Sequence, residues 1–342
     1  MNTTASIAAQ RAGCLVCEGT RTEQRFVQRG YPVYRCSDCG LEFVAPIPSP
    51  AELADYYDRN YAVPLERYAA ANERNIARIA DLERWCPARG RLLELGASYG
   101  HSLAAARDRG WDVVGGELSP TASEYARAHF GLTVFNCDLA DAPLVDGSFD
   151  AVIMWHVLEH VRNPKDQLTR LAALLKPGGV LGLRVPNIES FGARVAGQWW
   201  PWMCPPAHLW FFSRATLPRL LQACGFEVKE ITTLRGDGNN VYQYALMAAG
   251  NWLNELRPRS GKRAESRPPA HGNGQGPVSS APSPRTTTPP PEPSGRLQAW
   301  LRVLERAQPI TNALARGTRP LVEPLERRGW GDELLVYARR IS

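Results

Sequence analysis

Four of the eight cysteines form two Cys-x2-Cys pairs near the start of the chain. The pairs, Cys14 with Cys17 and Cys36 with Cys39, are separated by 18 residues. This spacing suits a tetrahedral zinc ion, because each pair forms a tight knuckle and the intervening residues make a hairpin. Four thiolates leave no open coordination position, so the sequence predicts a structural zinc ribbon over residues 11–45. A disulfide or redox role is the alternative.

A second group of residues has the chemistry of a nucleotide site. The segment 94–100 reads ELGASYG and lies between an apolar run and a helical pattern. Small residues let the backbone approach a ligand closely, and the first turn of a helix offers free N–H groups. Glu117 ends the next apolar run, 23 residues after Glu94, where a carboxylate can accept hydrogen bonds from ribose hydroxyls. Asp138 follows the third run and can accept from an exocyclic amine. A plain structural turn at 94–100 is the alternative.

Residues 156–160 read HVLEH and match the zinc-peptidase pattern H-x-x-E-H. A peptidase would need a third carboxylate ligand, and the candidates Glu227 and Glu230 fall in a predicted strand. We therefore favour Glu159 and His160 as acid–base candidates near the mouth of a cleft. A structural role in capping and orienting the following helix is the alternative.

The third candidate region is Trp199–Phe212, which holds six aromatic residues within 14 positions. Flat aromatic faces beyond the carboxyl ends of strands suit a sugar ring or another planar acceptor, and core packing is the alternative for about half of them. His208 lies within this segment, where a neutral imidazole can take a proton from an acceptor hydroxyl. A histidine that only hydrogen-bonds a loop is the alternative.

The elements that must position these residues follow a regular alternation of strand and helix. Ser119-Pro120 and Asn163-Pro164 each combine an N-cap with a proline in the first helical turn, and Pro177-Gly178-Gly179 is predicted to be a turn before a strand. The alternation predicts a doubly wound α/β sheet with helices on both faces. The predicted strands are Arg91–Leu95, Asp112–Glu117, Leu132–Cys137, Ala151–Met154, Val180–Val185, Phe226–Leu234 and Glu333–Arg339.

Four segments together resemble the class I S-adenosylmethionine-dependent methyltransferases. They are ELGASYG (94–100), Glu117, CDL (137–139) and SFDAVIMWHVLEHVRNPKDQLTRLAALLKPGG (148–179), the last being the most specific. The resemblance covers roughly residues 50–235 and the final strand. It implies a Rossmann-like, seven-stranded sheet that binds S-adenosylmethionine. A nicotinamide-dependent Rossmann enzyme is the rival for the same glycine-rich loop.

The same resemblance implies which residues bind the donor. The loop would lie beside the methionyl part, Glu117 would hold the ribose, and Tyr61 in the preceding connector would reach the donor carboxylate. Ser98 departs from the pattern, because the family usually has glycine at that position. The full implied donor site is Glu94, Gly96, Ala97, Ser98, Gly100, Glu117, Leu118, Asp138, Leu139, Trp155, His156 and Tyr61.

The remaining sequence predicts several attachments to the core. Residues 50–88 are predicted to form a helical connector or lid, and residues 89–240 the methyltransferase core. The segment 261–295 contains 9 Pro and 5 Gly and predicts a disordered linker. The other predicted pieces are a helix at 241–260, a helical segment at 296–330 and the final core strand at 331–342. An alternative places the seventh strand at Val241–Leu246.

Charge and targeting signals limit the function classes. The net charge of +6 divides into −1 over residues 1–250 and +7 over residues 251–342, and the ribbon segment carries only +1, a poor footprint for RNA. The segments 241–256 and 296–330 are candidates for docking on a membrane surface or a second copy of the chain. No run of 18 apolar residues and no secretory pattern is found, so we expect a cytoplasmic protein.

These observations predict methyl transfer from S-adenosylmethionine to a small-molecule acceptor, by O- or C-methylation. A sugar, nucleotide-sugar or other hydroxylated metabolite is the expected acceptor. Methylation of RNA is one alternative. A degenerate methyltransferase fold that acts as a binding or scaffold protein is another.

Overall fold

The computed structural model describes residues 13–60, 72–235, 324 and 326–341. Several predictions fall outside these ranges: Tyr61, the helix at 241–260, the alternative strand Val241–Leu246, the disordered linker at 261–295 and most of the helical segment at 296–330. Within the described ranges, none of the helices has the length and apolar character that crossing a bilayer requires.

Seven helices and eleven strands alternate along the described residues. The first elements are strands β1 (Thr22–Gln28), β2 (Tyr31–Cys36) and β3 (Glu42–Val44), followed by helices α1 (Pro50–Asn60) and α2 (Asn72–Glu83). The core continues through β4 (Arg91–Leu95), α3 (His101–Asp108), β5 (Asp112–Gly116), α4 (Pro120–Phe130), β6 (Thr133–Phe135), β7 (Phe149–Trp155), α5 (Pro164–Leu174) and β8 (Leu175–Pro186). It ends with α6 (Phe191–Ala196), β9 (Trp210–Phe211), α7 (Thr216–Ala223), β10 (Phe226–Leu234) and β11 (Glu333–Arg340).

The larger sheet has seven strands in the order β10-β11-β8-β7-β4-β5-β6. Strands β4 to β8 run parallel, whereas β11 lies antiparallel between β8 and β10. The predicted seven-stranded α/β sheet is therefore confirmed. Glu333–Arg340 occupies the place expected for the last strand, with Leu335 opposite Arg184.

One local prediction is wrong in detail. Pro177-Gly178-Gly179 does not separate a helix from a strand, because β8 already begins at Leu175, directly after α5. The segment Lys176–Gly179 bulges out of the ladder between the pairs Phe149–Leu175 and Ala151–Val180. Lys176 Nζ bonds both carboxylate oxygens of Asp150, at 2.7 and 2.8 Å, which anchors the bulge to the neighbouring strand.

Helices cover both faces of this sheet, as the alternation predicts. Leucines of α5 and α7 enter the larger apolar cluster, and Ile79 and Leu82 of α2 enter the cluster on the other side. Two predicted helix starts are confirmed, because Ser119 Oγ accepts from Ala122 N at 3.3 Å and Asn163 Oδ1 accepts from Asp166 N at 3.4 Å.

The smaller sheet contains the cysteine segment and one strand from the core. Its order is β1-β2-β3-β9, all antiparallel, with Glu42 opposite Phe211 and Phe43 opposite Trp210. The contact continues where Val44 N donates to Leu209 O at 2.9 Å. The ribbon is therefore joined by backbone hydrogen bonds to the segment that carries His208.

Candidate active site

The carboxyl ends of the parallel strands meet along one edge of the seven-stranded sheet. The loops that follow β4, β5, β6 and β7 carry most of the residues singled out in the sequence. In an open α/β sheet this edge is where ligands bind, because the loops there diverge and leave a crevice.

The glycine-rich loop after β4 has a strained backbone. Gly96, Ser98 and Gly100 all have positive φ values of 70°, 49° and 83°. Glycine adopts this conformation without penalty, but serine has a Cβ atom and does so rarely. A Cβ atom at Gly96 would collide with Val157, so the loop also lies close to the segment after β7.

Glu117 holds this loop from the end of β5. Its Oε2 accepts a hydrogen bond from Ser98 N at 2.8 Å, and its Oε1 accepts from Ser119 N at 2.7 Å. The backbone around Glu117 is itself fixed by Asn136, whose Nδ2 donates to the carbonyls of Glu117 and Leu118 at 2.8 and 2.9 Å. Glu117 is therefore a preorganised carboxylate at the edge of the crevice.

Glu94 has a buried carboxyl group and lies near the end of β4, just before the glycine-rich loop. Its side chain is 3% exposed, and burial raises its pKa to about 8 against the lowering effect of the Ser102 hydroxyl and the Arg78 guanidinium. At neutral pH this group therefore holds a proton, unless a cation arrives to favour its ionised form.

The other predicted donor residues have different surroundings. Leu118 is 65% exposed and Asp138 is also exposed, whereas Leu139 is buried. Trp155 packs against the apolar cluster that contains Ile153 and Tyr337. Their roles in donor binding stay predictions.

The residues after β7 form a buried polar cluster with residues before β9. His160 Nδ1 lies 2.8 Å from the carbonyl oxygen of Ala207 and 3.1 Å from the hydroxyl of Tyr57 on α1. A carbonyl oxygen only accepts, so Nδ1 carries the proton in neutral His160. Its Nε2 then has a free lone pair, 4.0 Å from Glu159 Oε1.

Glu159 and His208 lie deeper in this cluster. Glu159 is completely buried and His208 is 4% exposed. Burial lowers the pKa of His208 to about 3, helped by repulsion from His160, so its imidazole is neutral at physiological pH. Burial alone would raise the pKa of Glu159, but the imidazole of His156 outweighs it and lowers that pKa.

His156 is a positively charged neighbour of the cluster. Its Nδ1 is 3.3 Å from Glu159 Oε1, and its Nε2 is 3.4 Å from Glu333 Oε2 on β11. Glu333 also pairs with Arg184 Nη2 at 2.6 Å. Burial would lower the pKa of His156, but Glu333 and Glu159 outweigh it and raise that pKa to about 9.

The aromatic segment is used mainly for packing. Trp200, Trp210, Phe211 and Phe212 are buried in the core. Trp202 stacks on His156 and on His208, with ring centroids 5.4 and 5.7 Å apart. Most of these rings are therefore already covered, which leaves little of the aromatic surface that we predicted for an acceptor ring.

The four ribbon cysteines converge. The sulfur atoms of Cys14 and Cys39 are 3.4 Å apart, and those of Cys17 and Cys36 are 3.5 Å apart. All four sulfur atoms lie within 4.8 Å of one another. This donor set fits a tetrahedral ion such as zinc.

Sequence reasoning missed three members of the buried cluster. Tyr57 is not among the predicted site residues, and Arg184 and Glu333 are predicted only as parts of strands. A charged residue at the end of an otherwise apolar strand was a signal for the last two. The structure also assigns no capping role to Glu159 and His160, because Asn163 caps the following helix.

Comparison with known proteins agrees with this geometry. A family model described as a methyltransferase domain matches residues 65–231. A ubiquinone biosynthesis O-methyltransferase of Cereibacter sphaeroides is 27% identical over 208 residues, covering 57% of this chain and 74% of that protein. A demethylmenaquinone methyltransferase of Clavibacter sepedonicus is 32% identical over 133 residues, covering 37% and 52%. A solved methyltransferase structure from Thermotoga maritima has a TM-score of 0.41 and 24% identity, covering 54% of this chain and 82% of that one.

The Rossmann-like sheet, with its glycine-rich loop and the carboxylate at the end of β5, defines a nucleotide-binding α/β enzyme. The matched domain makes the class specific: residues 65–231 form a methyltransferase domain of the S-adenosylmethionine-dependent class. The methyl donor of this class is S-adenosylmethionine.

Proposed function

We propose that this chain methylates an oxygen or carbon nucleophile of a small hydroxylated acceptor, and that His160 removes the acceptor's proton. The observation that carries the proposal is the fixed proton on Nδ1 of His160, which leaves Nε2 as a base beside the buried Glu159 carboxylate. The donor is activated by its own sulfonium charge, so alignment and proton removal remain as the protein's tasks.

Each neighbour of His160 has a part in this proton transfer. Glu159, 4.0 Å from Nε2, would stabilise the imidazolium after Nε2 takes the proton. Tyr57 lies 3.1 Å from Nδ1 and orients the ring together with Ala207. His208 packs edge-on to His160, with ring centroids 4.6 Å apart, and stays neutral, so it does not oppose the charge that develops.

The donor would bind along the loop after β4. Glu117 presents a carboxylate for the ribose hydroxyls, and the loop backbone would follow the methionyl part. Glu94 is the buried carboxyl group closest to this loop in sequence, and an ammonium group of the donor would draw off its proton.

We propose a structural zinc ion in the ribbon, held by Cys14, Cys17, Cys36 and Cys39. Support comes from the convergence of the four sulfur atoms and from the pairing of β3 with β9. The ion would fix the ribbon and, through β9, the segment that carries His208.

The proposed acceptor is a hydroxylated small molecule. The two relatives are named for quinone compounds, which supports testing phenolic acceptors first. A sugar, as expected from the sequence, gains no support from these names or from the buried aromatic rings, and nucleotide sugars form the second arm of the test.

The experiment is a transfer assay with protein that holds one zinc ion per chain, labelled S-adenosylmethionine and three acceptor classes: hydroxylated aromatic compounds, nucleotide sugars and RNA. We expect product from a small-molecule class, and a loss of roughly 10²- to 10⁴-fold in kcat for His160→Gln with unchanged donor affinity. His129→Gln, which alters an exposed histidine on α4, is the matched control. Donor binding without transfer to any small molecule, or transfer to RNA alone, would contradict the proposal.

A further inference from the structure

The buried cluster brings three metal-binding side chains together from two separate segments. Glu159 and His160 lie in a short 3-10 turn, and His208 lies just before β9. One ligand atom of each lies within 4.8 Å of the other two. The segments are locked to each other, because Leu209 N donates to the carbonyl oxygen of Glu159 at 2.8 Å.

Both histidines are arranged as metal ligands usually are. A ligating imidazole binds through one nitrogen while its other N–H donates to a carbonyl or carboxylate. His160 donates from Nδ1 to Ala207 O at 2.8 Å, which frees Nε2. His208 has a hydrogen bond with the backbone of Trp202, and its buried Nδ1 has no hydrogen-bond partner among the described residues.

Glu159 gives an independent reason to place a cation here. Its side chain is 0% exposed, and neither carboxylate oxygen accepts a hydrogen bond of good geometry within the described part of the chain. In that part of the chain the ion pair with His156 engages only Oε1, and a buried carboxylate oxygen in the position of Oε2 costs free energy unless a cation satisfies it. His156 lies 3.3 Å away but is also held by Glu333, so it keeps a counter-ion if Glu159 turns towards a metal.

We propose that Glu159, His160 and His208 form a second metal site, which binds a divalent transition ion of the zinc class and is separate from the four-cysteine site. Two imidazoles and one carboxylate favour Zn²⁺, Fe²⁺ or Co²⁺ over Mg²⁺ or Ca²⁺. Bonds of about 2.0–2.2 Å hold tetrahedral ligand atoms roughly 3.3 Å apart, so the ligand atoms would move closer together by up to about 1.5 Å.

The H-x-x-E-H segment would bind an ion here through other residues than in a peptidase. In a peptidase both histidines of the pattern bind the ion, but here the nitrogens of His156 face two carboxylates. The third ligand comes instead from His208, 48 positions after His160 in sequence. Glu227 and Glu230, the candidates for a peptidase's third ligand, lie on β10 and are not part of this cluster.

The proposed ion and the proposed reaction would use the same atom, Nε2 of His160. Because an ion on Nε2 of His160 takes the lone pair needed for the acceptor's proton, metal binding would block transfer. This consequence, unlike the site itself, rests on the proposed function.

The test loads the four-cysteine site with zinc and then titrates the protein with Co²⁺, using calorimetry and optical absorption. We expect one further ion per chain, with the weak bands of a nitrogen–oxygen site and no thiolate charge-transfer band. His208→Ala and Glu159→Gln should each weaken the binding of this ion at least about 100-fold. His129→Ala is the control, because it removes a histidine elsewhere.

A measurement on the unmodified protein covers the case in which a variant does not fold. Long-range ¹⁵N spectra should show Zn²⁺ shifting Nε2 of His160 and Nδ1 of His208, but not the ring of His129. An unchanged ring at His160 and His208, or a further ion that His208→Ala does not weaken, would overturn the site. Neither readout needs an acceptor, so failure here is distinct from failure of the transferase assay.

Discussion

The backbone amide of Ser98 donates a 2.8 Å hydrogen bond to Oε2 of Glu117, across the gap between the loops that follow β4 and β5. Ser98 does this with a φ of 49°, a conformation that glycine adopts more easily. The loop after β4 and the Glu117 carboxylate, which we propose to bind the donor, are therefore linked to each other by a hydrogen bond. Two predictions follow from this pair.

Glu117→Ala should weaken binding of S-adenosylmethionine by about 1.5–3 kcal/mol, because it removes the ionised acceptor for the ribose hydroxyls and frees the amides of Ser98 and Ser119. Calorimetric titration of the zinc-loaded protein measures the change. Glu124→Ala, an exposed carboxylate on α4, serves as the control and should leave affinity unchanged. Equal affinity in the two variants would remove Glu117 from the donor site.

Ser98→Gly and Ser98→Val should differ in their effect on the free energy of unfolding. Glycine relieves the left-handed backbone at the cost of extra unfolded-state entropy, so the free energy of unfolding should stay equal or rise by up to about 1 kcal/mol. Valine is β-branched and should lower it by about 1–2 kcal/mol. Denaturant unfolding measures both changes. A valine variant as stable as the glycine variant would contradict a strained backbone at this position.

Glu94 should release a proton when the donor binds. Its pKa of about 8 means that it is mostly protonated at pH 7, and an incoming ammonium group favours the carboxylate. Calorimetry of donor binding in buffers of different ionisation enthalpy should reveal this proton, and Glu94→Gln should abolish it. An enthalpy of binding that is independent of the buffer would show that Glu94 does not ionise.

The carboxyl group of Glu94 should also make the stability of the fold depend on pH. The folded protein keeps the Glu94 proton between the unfolded value of 4.5 and about 8, whereas the unfolded chain has lost it. The free energy of unfolding should therefore fall as pH rises through this window. In Glu94→Gln the fall should be smaller, which denaturant melts at pH 5 and pH 8 would show.

His156 should make the free energy of unfolding depend on pH in the alkaline range. Its folded pKa of about 9 lies above the unfolded 6.5, so its stabilisation is complete below pH 6.5 and is lost as pH rises through 9. The loss amounts to about 3 kcal/mol. Glu333→Gln should lower this pKa, which NMR titration of the imidazole would follow, and should flatten the dependence. An unchanged titration of His156 in that variant would exclude Glu333 as its counter-ion.

Loss of the ribbon cysteines should disturb the acceptor side of the site. Cys17→Ser should remove the proposed ribbon ion, lower the melting temperature and shift the indole N–H resonance of Trp210 in NMR spectra, because Trp210 stacks on Phe43 at 5.9 Å. Cys137→Ser, outside the ribbon, is the matched control. A Trp210 signal that does not respond to loss of the ion would mean that the ribbon does not hold β9 in place.

The sequence by itself determined the seven-stranded α/β sheet, most strand positions and two helix starts. These depend on local periodicity and on capping residues such as Ser119 and Asn163, which act within a few residues of the chain. It also identified the two cysteine pairs as candidate metal ligands, because metal-binding knuckles have a fixed short spacing.

Only the tertiary structure decided the composition of the buried cluster. Tyr57, His160 and His208 meet across 151 sequence positions, and Glu333 reaches His156 from the last strand. Burial then sets the charges, leaving His208 neutral and His156 protonated. No local pattern encodes such a meeting, because it depends on which strands lie side by side and on how much water their packing excludes.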